Sequence, residues 1–186
     1  MPSLWPRLEP LLARVQKPAR YIGWEDGAQV PQHAAHKVAR LLAYPDTYQI
    51  GLPNQGLQIL YEILNERPAV AERTYAPWVD LEALLRAHGL PLFSVDTHRG
   101  AADFDIVAFN LSAELVYTNV LNCIDLAGVP VRSADRRPEH PLIGAGGHCT
   151  YNPEPLADLT EDIIGLHPTV GRQGPVPGRG DVPDHA

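Results

Sequence analysis

The sequence predicts a doubly wound α/β fold built on a parallel sheet. Three observations carry that prediction. Short apolar runs at Val38 to Ala43, Pro91 to Val95, Asp105 to Phe109 and Pro141 to Ile143 alternate with segments of helical periodicity. That alternation favours parallel strands joined by crossover helices. The run Ile106-Val-Ala-Phe109 is continuously apolar, as in a strand covered on both faces. The stretch Asp103 to Pro130 then joins this strand, through a polar turn, to a long apolar helix closed by glycine.

In chain order, Leu4, Trp5, Leu8, Leu11, Leu12 and Val15 recur at helical spacing and predict an amphipathic helix within residues 1–19. Pro10 has no amide hydrogen to donate, so the regular helix is expected to begin near it. Packing against the domain is favoured over a membrane-surface role. Residues 22–37 are loop-like, with Pro31, His33 and His36. The first strand stops at Pro45-Asp46. Tyr48 to Gly56 forms a loop with two glycines, either approached by a ligand or simply a tight connection. From Asn54, a helix places Leu57, Leu60, Tyr61 and Leu64 on one face, and Pro68 closes it. Tyr75-Ala-Pro-Trp78 is a loop. Asp80 caps a helix carrying Leu81, Leu84 and Leu85, and Gly89 suits the left-handed position after it. Ser112 is expected to cap the helix that runs to about Ala127, with Gly128 ending it. Thr160 to Ile164 offers one more edge strand. Residues 165–186 carry five glycines and four prolines without apolar periodicity, the composition of a disordered tail.

The 186 residues suit one domain, 20–164, between the N-terminal helix and the tail. Hydrophobic residues make up 45%, enough for a core, and the formal net charge of -7 argues against a nucleic-acid surface. No apolar run approaches the ~20 residues that cross a bilayer. Cys123 and Cys149 stand in no metal-ligand spacing, and free thiols point to a cytoplasmic chain.

In such a sheet ligands collect at the carboxyl ends of the strands, here at loops 44–56, 96–102, 110–114 and 144–152. Asp96-Thr-His-Arg-Gly100 approximates the D-x-H-x-x-G pattern of a lower cobalamin ligand, with the glycine one place early. An imidazole oriented by a carboxylate can bind a metal, and a solvated loop histidine explains His98 equally. Gly144, Gly146 and Gly147 do not complete the dinucleotide fingerprint. They fit either a flat cofactor on the sheet edge or a strained turn. Glu114 suits the start of a helix, where an acid favours the macrodipole. No nucleophile–base pair stands at a diagnostic spacing, so no catalytic residue is assigned.

The ordered set Arg20-Tyr-Ile-Gly23, Ala43-Tyr-Pro-Asp-Thr-Tyr-Gln-Ile-Gly51, Gly56-Leu-Gln-Ile-Leu-Tyr61 and Tyr75-Ala-Pro-Trp78 continues through Pro91-Leu-Phe-Ser94, Asp103-Phe-Asp-Ile-Val107, Glu114 with Tyr117-Thr-Asn119, and Asp125-Leu-Ala-Gly128. It ends with Gly146-Gly147 and Asn152-Pro-Glu-Pro-Leu-Ala-Asp158. Over residues 20–158 it resembles the N-terminal, Rossmann-like cobalamin-binding-type domain of a family of radical S-adenosylmethionine (SAM) proteins. The resemblance implies a corrinoid contacted by Gly51, Gly56, Ser112, Glu114, Gly146 and Gly147, with His98 as the one candidate cobalt ligand. In the full-length family it implies a [4Fe–4S] cluster and S-adenosylmethionine held by a C-x-x-x-C-x-x-C motif, which these two cysteines do not form. A truncated chain partnered by a separately encoded radical SAM barrel is therefore expected. A ligand-free remnant, and a flavodoxin-like module binding protein through the Trp5 helix or the tail, stay open beside it.

Overall fold

The architecture follows from which faces of the strands are apolar. In a computed structural model of the chain, which describes residues 2–29, 32–34, 36–66 and 69–164, five strands form one sheet. They are β1 (Ala39–Tyr44), β2 (Val70–Tyr75), β3 (Ile106–Asn110), β4 (Leu142–Gly146) and β5 (Asp162–Ile164), in the order β2-β1-β3-β4-β5. Every pairing is parallel. Leu41 and Ala43, Val107 and Phe109, and Ile143 and Ala145 alternate along their strands into one core. Leu42 and Ala71 enter the other.

The helices divide to match: α1 (Trp5–Leu12), α2 (Tyr48–Gly51), α3 (Gln55–Asn65), α4 (Val79–Ala87) and α5 (Tyr117–Leu126). Leu8, Leu11 and Leu12 of α1, Leu81 and Leu85 of α4, and Val120, Cys123 and Ile124 of α5 fill the first core. Leu57 and Tyr61 of α3 fill the second. Burying a leucine such as Leu85 contributes about 1.5–3 kcal/mol. This is a doubly wound, Rossmann-like α/β fold, with helices on both faces of a parallel sheet. The edge strand expected near Thr160 to Ile164 is β5, and Gly89 and Gly128 take the left-handed conformation, φ +57° and +75°. Residues 165–186, and with them the expected tail, lie outside the described residues, as do Pro31 and Pro68.

Several local expectations are corrected. The helix at the N-terminus begins at Trp5, before Pro10. The hydrogen bond that Pro10 cannot donate would have gone to Pro6, and burial of three leucines on α1 offsets that single loss. The Tyr48 to Gly56 loop contains the turn of helix α2. Leu60 points away from the core and is half exposed. Trp78, not Asp80, is the cap residue of α4. The Asp80 carboxylate instead accepts from the Leu81 amide at 2.7 Å and from the Gln16 amide at 2.8 Å.

The largest correction concerns the second strand. Pro91 to Val95 does not join the sheet; Phe93 makes only an isolated antiparallel bridge with Gly100. The chain folds back there, Ser94 N–H donating to Arg99 O at 2.9 Å and His98 N–H to Ser94 O at 3.1 Å. The place beside β1 is taken by β2, hidden in the sequence by the charged pair Glu72-Arg73. Both side chains are buried, at 0% and 1% exposure. Arg73 donates to Asp96 Oδ1 at 2.7 Å, and its own amide donates to Asp96 Oδ2 at 2.6 Å. Glu25 sets a second carboxylate 2.8 Å from the same Arg73 nitrogen, and the guanidinium lies 4.3 Å from the Tyr61 ring centre. On the opposite face of β2, Glu72 accepts from Ser94 Oγ at 2.5 Å and Thr97 Oγ1 at 2.7 Å, and pairs with His33. Val95 N–H donates to Arg73 O at 2.8 Å, so the 92–100 loop lies along the free edge of β2.

Arg73→Ala leaves Asp96 and Glu25 buried without their cation. The expected loss is about 3–5 kcal/mol of unfolding free energy, measured as a lowered urea midpoint. An unchanged midpoint would show that β2 is held by its backbone ladder alone.

Candidate functional site

The strand order reverses at β1. Its crossover to β2 leaves in one direction, and the next crossover returns past it to β3. The carboxyl ends of β1 and β3 therefore diverge into loops on opposite sides, the geometry that opens a crevice in this class of sheet. Asn54, at the start of α3, caps that helix: its Oδ1 accepts from the Leu57 amide at 2.9 Å. Asn110, the last residue of β3, donates from Nδ2 to the same Asn54 Oδ1 at 3.4 Å. Ser112 donates to Asn110 Oδ1 at 2.5 Å. A serine and two asparagines thus form one chain of hydrogen bonds across the mouth of the β1/β3 junction. All three are half-buried. Among the described residues, Asn54 Nδ2 and one hydrogen of Asn110 Nδ2 have no acceptor.

Gly56 belongs to this chain. A Cβ there would stand 3.3 Å from Asn54 Oδ1 and 4.0 Å from Asn110 Nδ2, so the missing side chain keeps the two amides open to solvent. Asn110 lies opposite Gly146 in the β3–β4 ladder. Leu111 N–H donates to Gly146 O at 2.7 Å, and Cys149 N–H donates to Leu111 O at 3.2 Å. Gly147 has φ +121°, and a Cβ there would come within 2.6 Å of Leu111 O. Glycine is therefore required for the two loops to close on each other. From the other side, Asn119 Nδ2 donates to Pro45 O at 2.9 Å and fixes the loop after β1 to α5.

The residues singled out in the sequence separate accordingly. Gly56, Ser112, Gly146 and Gly147 come together at the crevice. Glu114 is exposed in a 3-10 turn, Glu114–Val116, ahead of α5. Ser112 does not cap that helix, because its hydroxyl is held by Asn110. Gly51 is the buried last residue of α2, where a Cβ would meet the Tyr75 ring at 2.5 Å. Its small size seats tyrosines of the sheet rather than opening the crevice. His98 lies among Trp5, Tyr21 and Phe93, its ring centre 4.6 Å from that of Trp5 and 5.9 Å from that of Phe93. Its Nε2 lies 2.9 Å from Tyr21 O. A carbonyl only accepts, so Nε2 carries the proton and offers no lone pair to a metal. The expected orienting carboxylate, Asp96, is bound to Arg73.

Sequence reasoning missed the two asparagines. Asn54 was visible only as the start of a helix and Asn110 only as the residue after an apolar run. Their positions at the ends of β1 and β3 become a signal once the strand order is known. The edge also carries large exposed apolar side chains on each of its loops: Ile50 after β1, Trp78 after β2, Leu115 after β3 and Tyr151 after β4. Among the described residues no three His, Cys, Asp or Glu side chains are grouped to hold a metal ion. No helix there is long and apolar enough to cross a membrane.

A family model described as radical SAM proteins, N-terminal, matches residues 56–166, well over half of the chain. The chain belongs to this family. No curated protein matches it. The radical SAM N-terminal match begins at Gly56 and takes in β2 to β5, so it contains Asn110, Ser112, Gly146 and Gly147, and Asn54 lies just before it.

Burial pushes the His98 imidazole below its ordinary pKa, against the opposing effects of the Tyr21 carbonyl and Glu72. The unfolded chain takes up this proton near pH 6.5, whereas the folded chain resists it. Stability from this residue is complete above that pH and falls as pH drops through the lowered folded value. His98→Asn, whose side chain suits the φ of +58° at this site, is expected to flatten the acid limb of a thermal-unfolding profile below about pH 6.5. A profile as steep as that of the unaltered chain would assign the limb elsewhere.

Proposed function

We propose that this region is a cobalamin-binding-type domain, residues 20–164, that holds a corrinoid over the β1/β3 crevice of a cytoplasmic radical SAM protein. The observation that carries the reading is the Ser112–Asn110–Asn54 hydrogen-bond chain at the switch point, left open by Gly56. A large, flat, amide-rich ligand fits an edge whose floor is polar and whose rim is apolar. Asn54, Asn110 and Ser112 would hold its polar groups, while Gly146 and Gly147 let it approach the backbone. Leu115 and Tyr151 would cover its apolar faces. The bound corrinoid would supply cobalt-centred methyl-transfer or redox chemistry.

Radical SAM proteins use S-adenosylmethionine and a [4Fe–4S] cluster. Cys123 and Cys149 do not form the three-thiolate motif that holds such a cluster. Cys123 is buried, its thiol pushed up to about 12 by desolvation, so it is no ready thiolate. On this reading the cluster would be supplied by a radical SAM barrel, either separately encoded or in the remainder of a longer protein. The apolar rim supports a second reading of the same edge as a docking surface for that barrel.

Titration of the purified chain with hydroxocobalamin tests the ligand. A shifted visible spectrum and corrinoid retained through gel filtration are expected. Asn110→Ala is expected to weaken binding by about 3- to 10-fold, the value of one or two hydrogen bonds, while still unfolding in a single cooperative transition. No spectral change at high micromolar concentration would sink the proposal.

A further inference from the structure

We infer that the chain has a second binding site, at the amino ends of β1 and β3, which takes a small polar α-amino acid as its zwitterion. It lies at the opposite end of the strands from the crevice, and it does not rest on the corrinoid reading. A hollow of about 360 Å³ opens there, bordered by His33, Lys37, Arg99, Asp103 and Asp105. Cavities that hold small molecules begin at about 300 Å³. Lys37 and Arg99 are half-buried, whereas Asp103 and Asp105 stand exposed at the rim. Charges of both signs in one hollow ordinarily pair with each other. Among the described residues, none of these four enters an ion pair. Asp105 gives one oxygen to the Ala39 amide at 2.7 Å, and its other oxygen has no donor there. A half-buried cation has lost part of its hydration, and here no carboxylate replaces it.

The histidine supplies a second, independent feature. Glu72, fully buried, accepts from the Ser94 and Thr97 hydroxyls at 2.5 and 2.7 Å and holds His33 by Nε2. Phe104 meets the His33 ring edge-on, with centres 5.8 Å apart. Because Nε2 donates to the carboxylate, the lone pair of the neutral ring sits on Nδ1, which has no partner among the described residues. The hollow thus offers two cations and three acceptors: the Asp103 and Asp105 carboxylates and His33 Nδ1. A lone anion satisfies Lys37 and Arg99 but faces the two aspartates. A lone amine leaves both cations without a partner. A zwitterion satisfies both sets, its carboxylate taking charge-assisted bonds from Lys37 and Arg99. Its ammonium has three N–H donors for the three acceptors.

The test titrates the full chain with three probes and follows the amide NMR signals of His33, Lys37, Arg99 and Asp103. L-serine carries both charged groups. N-acetyl-L-serine lacks the ammonium, and ethanolamine lacks the carboxylate. L-serine is expected to shift these signals saturably, with a dissociation constant of about 1 mM or tighter, and each of the other two to bind at least about 10-fold more weakly. Arg99→Gln and Asp103→Asn alter side chains that hold no other element of the fold, so both variants should still unfold cooperatively. Each is expected to weaken L-serine by at least about 5-fold. Asp103→Asn should leave the weak binding of N-acetyl-L-serine no weaker. Equal affinity for N-acetyl-L-serine would make this a plain anion site, and equal affinity for ethanolamine a plain cation site. Either result overturns the inference, as does the absence of any shift at about 20 mM L-serine.

Discussion

The arrangement of this domain depends on a buried ion pair in an edge strand. Arg73 and Asp96 meet at 2.7 Å with almost no exposure, and three segments distant in sequence converge on them. Asp96 brings the 92–100 loop against the edge of β2. Glu25 and Gln29 bring in the segment before β1, Glu25 through the guanidinium and Gln29 through the Tyr61 hydroxyl. Tyr61 brings in α3, its ring on the guanidinium and its hydroxyl proton shared between Asp96 Oδ1 and Gln29 O. A buried charge is costly unless paired and hydrogen-bonded, so these contacts are obligatory together. Their consequence is positional. With β2 fixed beside β1, β3 takes the opposite side of β1, and the switch point falls between β1 and β3.

The crevice inherits its shape from that topology. Its polar residues come from the end of β3 and the start of α3, which are 56 positions apart in sequence and joined by a 3.4 Å hydrogen bond. Each also has a structural duty: Asn54 caps a helix, and Ser112 locks Asn110. The same bonds that hold the loops fix the orientation of the amides that face solvent, a preorganised polar site on rigid elements. Backbone hydrogen bonds from Leu111 to Gly146 and from Cys149 to Leu111 seal one flank, and Asn119 on Pro45 seals the other.

How much of this was legible in the sequence varied with the kind of signal. Apolar runs marked β1, β3 and β4, since a strand buried on both faces leaves a continuous trace. Leucine spacing marked α1, α3 and α4. The strand β2 left no such trace because Glu72 and Arg73 interrupt it, and hydrophobic pattern alone reads buried charges as surface. Conversely, Pro91 to Val95 is apolar and buried yet no strand of the sheet, because Ser94 and Asp96 are drawn onto β2 and the chain turns. Glycines were visible as candidates, but their duties were not. Gly56 opens the crevice, Gly147 admits a carbonyl, and Gly51 merely accommodates Tyr75.

By itself the sequence determined the fold class, the positions of most elements and the ordered motifs characteristic of the radical SAM N-terminal family. Those are properties of local periodicity and of residue order, which survive in one dimension. Tertiary structure decided which strand lies beside β1, which glycines face the crevice, and that His98 is covered by Trp5 and Phe93 rather than placed at the strand ends. It also brought Asn54 to Asn110. The physical reason is that strand order and loop placement are set by long-range contacts, here the β1–β2 ladder and the Arg73–Asp96 pair on its outer edge, and neither partner reveals the other until the chain has folded.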